Sequence, residues 1–61
     1  MDLTMNPVLL VSIINTKLRN QYTSLHDLCE DLDLHYDDLE AVLNRNHYVY
    51  DEDQNQIRKG V

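Results

Sequence analysis

Ser24-Leu-His-Asp-Leu-Cys-Glu-Asp-Leu-Asp-Leu-His-Tyr-Asp-Asp-Leu-Glu-Ala-Val-Leu43 is the stretch that decides the fold. Leu25, Leu28, Cys29 and Leu32 fall at i, i+3, i+4 and i+7, the spacing of one helical face. Ser24 with Asp27 makes a Ser-x-x-Asp form of the capping box, weaker than the usual form with Glu or Gln. The period breaks near Asp33. It resumes with Leu39, Val42 and Leu43, joined by Tyr36, behind an N-cap at His35 braced by a Leu34–Leu39 hydrophobic staple. Asp37, Asp38 and Glu40 crowd the first turns of this helix, where the dipole favours negative charge. Asn46 is the expected left-handed stop. Two short helices around a tight turn, with the small Cys29 where they approach, predict a helix-turn-helix arrangement.

Working outward, Asn6-Pro7 opens an earlier helix, Asn as N-cap and Pro at the first helical position. Leu10, Val11, Ile14, Leu18 and Tyr22 recur along one face of it. Lys17 and Arg19 suit the negative end of its dipole. Val8, Leu9 and Ile13 lie off that face, so the first turns are apolar nearly all round and want covering on two sides. Tyr22-Thr23 connects the first helix to the second. After Asn46 the period becomes two: Tyr48-Val49-Tyr50 predicts a strand, Asp51 to Asn55 a polar turn, and Gln56-Ile57-Arg58 a returning strand. The fold class expected is mostly α, a three-helix, helix-turn-helix-like domain with a short C-terminal β-hairpin. One small domain spans 1–61, with 1–5 and 59–61 frayed.

The separated motifs Asn6-Pro7-Val8-Leu9-Leu10, Asn15-Thr16-Lys17-Leu18-Arg19, Ser24-Leu25 with Leu28-Cys29-Glu30, and Tyr48-Val49-Tyr50-Asp51 with Asn55-Gln56 carry a resemblance. Together they resemble a family of short, uncharacterised bacterial proteins catalogued as a domain of unknown function, from about Met5 to Arg58. The resemblance implies a bacterial, free-standing small protein and brings no activity, cofactor or site residues. His47 stands where the family pattern leads one to expect Gly before Tyr48.

Charge narrows the function classes. Eleven carboxylates against five Lys and Arg, a formal charge of -6 over 61 residues, disfavour non-specific binding to nucleic acid or an anionic membrane. The apolar run from Val8 to Ile14 is far short of the roughly 20 residues a membrane span needs. Asp2 stands where a signal peptide wants positive charge, so a soluble cytoplasmic protein is expected. The lone Cys29 gives no sign of a disulfide framework.

The outward positions of the presumed recognition helix are Asp37, Glu40, Ala41 and Asn44, with Arg45 at the far end. Carboxylates leading that helix would repel phosphate, so the architecture fits a DNA-binding regulator and the chemistry does not. That alternative needs Lys17, Arg19, Arg45, Arg58 and Lys59 gathered into one patch. An acidic mimic occupying a DNA-binding groove fits the charge without a motif to support it.

His26-x-x-Cys29 pairs two metal-ligand types on adjacent turns, but a zinc site needs further ligands, and a packed Cys29 explains the pattern without metal. Glu30 and Asp31 beside Cys29 would raise its pKa, making it a poor nucleophile. Asp51-Glu52-Asp53 lacks the alternating ligands and closing Glu of a calcium loop. No catalytic, cofactor or metal residue is expected, and no enzyme activity. The reading is a protein–protein interaction module, as a homodimer or as an acidic partner for a basic protein surface. Its candidate interface residues are Leu9, Ile13, Tyr48 and Tyr50; in a monomer, Tyr48, Tyr50 and Ile57 would instead fold back over Leu9 and Ile13.

Overall fold

Asn6 starts the first helix as its residue type requires. Its Oδ1 accepts the Val8 N–H at 2.9 Å and the Leu9 N–H at 3.4 Å, satisfying two donors that helix geometry leaves unpaired. In the computed structural model, which describes residues 2–60, α1 runs Pro7–Asn20, α2 Leu25–Asp31 and α3 Tyr36–Arg45, followed by β1 Tyr48–Asp51 and β2 Gln56–Lys59. The mostly α fold with a C-terminal hairpin stands as expected.

Ser24 caps α2 by accepting the Asp27 N–H at 3.1 Å. The reciprocal half of the box is replaced: Asp27 accepts the Thr23 hydroxyl at 2.6 Å instead. The turn into α3 is a Schellman closure. Asp33 takes φ 57°, the Leu34 N–H reaches the Cys29 carbonyl at 2.8 Å, and the Asp33 N–H reaches Glu30. Asp tolerates this left-handed backbone better than most residues. His35 begins α3 without a side-chain cap, and Asp37 and Asp38 sit in the first turn, where the N-terminal dipole favours them.

At the end of α3 the stop lies one residue later than expected. Asn46 keeps φ at -102° because its Nδ2 is held by the Val42 carbonyl at 2.8 Å. The left-handed residue is His47, at φ 64°, the position where the family pattern led to an expectation of Gly.

The core draws on all three helices and β2: Leu10, Val11, Ile14 and Leu18, then Leu25, Leu28 and Cys29, then Leu39 and Leu43, closed by Ile57. These are the periodic positions, so burial follows the one-face spacing. β1 and β2 pair antiparallel with Tyr48 opposite Lys59, Val49 opposite Arg58, Tyr50 opposite Ile57 and Asp51 opposite Gln56. Asp51 organises the connecting turn by accepting the Asp53 and Gln54 N–H groups. It also meets Arg58 at 3.3 Å.

Hydrogen bonds reach both ends of the described residues. Lys59 belongs to β2, and the Gly60 N–H donates to the His47 carbonyl at 2.6 Å. Asp2 accepts both the Thr4 N–H and the Thr4 hydroxyl. Residues 1 and 61 lie outside the described residues.

Candidate functional site

Three amides tie the hairpin to α1: Asn15, Asn55, and Gln56, whose Nε2 donates to the Asn15 carbonyl at 3.2 Å. Asn15 lies one residue past the buried Ile14, turned toward β2. Its Oδ1 accepts the Ile57 N–H at 2.6 Å and its Nδ2 donates to the Ile57 carbonyl at 2.9 Å, the pattern a neighbouring strand would offer. Asn55, at φ 52°, donates through Nδ2 to the carbonyls of Leu18 and Tyr22 at 3.2 and 2.9 Å. The Tyr50 hydroxyl donates to Asn55 Oδ1 at 2.7 Å and accepts the Leu25 N–H at 3.3 Å. Carbonyls at a helix C-terminus have no partner within the helix; here the hairpin supplies one.

The four residues expected at an interface separate into two places. Tyr48 and Tyr50 are half-buried on β1, Tyr50 bonded into the fold and Tyr48 covered by the Lys59 ammonium 4.7 Å from its ring centre. Leu9, on α1, is 52% exposed, and its neighbour Val8 is 66% exposed. Ile13 is half-buried. Tyr48 and Tyr50 line a cleft of about 330 Å³ between β1 and α3; Leu9 and Ile13 do not. The hairpin therefore closes the core through Ile57 and leaves Leu9 open.

The outward face of α3 is as acidic as its sequence: Asp37, Asp38 and Glu40 are all exposed. Four of the five cations have neighbours that the structure identifies. Arg19 lines a cleft with the hairpin turn, Arg45 lines another with the N-terminal turn, Arg58 meets Asp51, and Lys59 lies over Tyr48.

Cys29 is buried, and that burial pushes its thiol pKa up, away from nucleophilic or metal-binding thiolate. His26 instead stacks on Tyr36, ring centres 4.0 Å apart and planes nearly parallel. Burial, followed by the Glu40 charge, raises the Tyr36 phenol. Among the described residues no three His, Cys, Asp or Glu side chains stand where they could hold a metal ion. No described helix is long and apolar enough to cross a membrane.

Sequence reasoning passed over Asn15 and Asn55. The available signal was a poor helix former beside the buried Ile14, and an Asn closing a polar turn, where it tolerates left-handed backbone. No curated relative and no solved structure matches the chain. The family model of a domain of unknown function, DUF4250, matches residues 4–57, from the turn before α1 through the Ile57 clamp, and the chain belongs to that family.

Proposed function

We propose that the protein is a protein–protein interaction module, without catalytic activity of its own, that offers an acidic surface to a basic partner. The observation that carries this reading is the exposed run of Asp37, Asp38 and Glu40 on the helix that a DNA-binding domain of this arrangement would lay against phosphate. Potential of this sign repels nucleic acid and steers cationic protein surfaces. Self-association is the second reading, supported by the exposed Val8 and Leu9 beside the half-buried Ile13. Stable dimers bury about 800 Å² per partner, more than those three side chains offer, so a homodimer would have to recruit further surface.

The test compares the tagged protein with its Asp37→Lys, Asp38→Lys double variant in nuclease-treated extract of its native cell and against random duplex DNA. A partner retained by the parent and released by charge reversal supports the module. Duplex binding by the parent at physiological salt, with the steep salt dependence of phosphate contacts, overturns it.

A further inference from the structure

The hairpin has two outer edges. On β2, the outward N–H and carbonyl of Ile57 are both taken by Asn15. Groups that point outward on one strand of an antiparallel ladder point outward on its register partner too, because such residues form a non-hydrogen-bonded pair. Tyr50 is that partner, and two residues back Tyr48 repeats the geometry. The Gly60-to-His47 bond marks the alternate, hydrogen-bonded positions and so agrees with this phase. Among the described residues, no hydrogen bond from a turn, helix or side chain reaches the main chain of Tyr48 or Tyr50.

That edge faces the cleft beside α3. Tyr48, Val49 and Tyr50 all line it, although alternate side chains of a strand point to opposite faces. Three consecutive residues share one cleft when the cleft runs along the strand's backbone edge. Its remaining wall includes Tyr36 and Leu43, and the charged groups lining it are Glu40 and Glu52, both carboxylates.

We propose that the outer edge of β1 takes up an extended, basic segment of a partner protein as a third antiparallel strand. Main-chain bonds would form to Tyr48 and Tyr50, and Lys or Arg side chains would meet Glu40 and Glu52. Strand addition of this kind draws affinity from the backbone and selectivity from alternate side chains. Charge complementarity chooses the occupant. A second copy laid edge to edge would bring together two chains of charge -6 with Glu52 of each near the junction, whereas a cationic strand neutralises both cleft carboxylates. The proposal rests on the interaction-module reading and gives its basic partner a backbone conformation and a seat.

The test uses the whole protein and, as probe, a blocked hexapeptide of alternating Lys and Val, followed by amide NMR with hydrogen exchange. Binding should slow exchange at Tyr48 and Tyr50 at least tenfold. It should weaken at least tenfold in the Glu40→Lys, Glu52→Lys double variant, and vanish for a peptide N-methylated on the amides of one edge. Both Glu side chains are exposed, so the variant should remain folded, which the spectrum itself reports. Shifts confined to Asp37 and Asp38 would overturn the edge proposal and leave the acidic module standing. No response at millimolar peptide would also overturn it, and together with duplex DNA binding would remove both readings. Protection of Tyr48 and Tyr50 that rises with protein concentration alone would assign the edge to a second copy.

Discussion

Ile57 on β2 and Tyr50 on β1 face each other across the hairpin with opposite surroundings. Ile57 is buried and has its outward main-chain groups bonded by one side-chain amide of α1. Tyr50 is half-buried, anchored by its hydroxyl, and keeps its outward main chain open to a cleft. A two-stranded sheet is marginal alone, so one edge had to be secured against the helices. Asn15 secures it without adding a strand, which is why so short a chain can leave its other edge available. The difference teaches that the hairpin is attached to the body through β2 and turn residue Asn55, while β1 is attached through its Tyr side chains.

The most severe way to break this asymmetry is Asn15→Ala. It leaves two buried main-chain groups of Ile57 without partners, at about 1–3 kcal/mol each, a large part of the stability available to a domain of this size. Urea unfolding should report the loss, and exchange at the Ile57 amide should approach that at Tyr50. Equal exchange at the two amides in the parent would show that the edges do not differ.

Next in size is Asn55→Ala, which removes the bonds to Leu18 and Tyr22, frees the Tyr50 hydroxyl, and places a β-carbon without compensation at φ 52°. The expected loss is about 2 kcal/mol. Asn55→Gly should lose less, because it relieves the backbone while losing the same bonds. An equal loss in both would put the whole effect on hydrogen bonding.

Tyr50→Phe sharpens the comparison on the β1 side. Deleting the hydroxyl unpairs the Leu25 N–H and Asn55 Oδ1 and should cost about 1 kcal/mol, read as a melting-temperature fall of roughly 4–8 °C. The smallest change is a gain. His47→Gly removes a side chain from φ 64° and should stabilise by about 0.5 kcal/mol.

The helices and hairpin were legible because each rests on local information. The i, i+3, i+4 spacing marks the faces that meet in the core, Asn6 and Ser24 announce helix starts, and the switch to period two at Tyr48 marks the strand. What escaped was long-range. Asn15 and Ile57 are 42 residues apart, and no periodicity or spacing rule couples an amide on a helix to a main chain that distant. The stop at Asn46 was displaced by one because its side chain had a better use, back-bonding to Val42. The acidic face of α3 was readable directly from Asp37, Asp38 and Glu40, since exposed charge needs no partner to be recognised. The open edge of β1 was not, because it is a property of main-chain phase rather than of residue type.

Titration adds an alkaline limit. The Cys29 thiol is raised in the folded chain by burial, so its contribution to stability is complete below the unfolded thiol's pKa. It is lost as pH rises through the folded value.

The span between Asn15 and Ile57 also has a consequence for the making of the protein. At about 5–20 residues per second of synthesis, the 42 residues separating the clamp from its target take roughly 2–8 s to follow. Helix–coil relaxation is complete in about a microsecond, so α1 forms and melts many times over before β2 exists. β2, made after all three helices, brings the main-chain groups that the Asn15 amide of the first helix bonds.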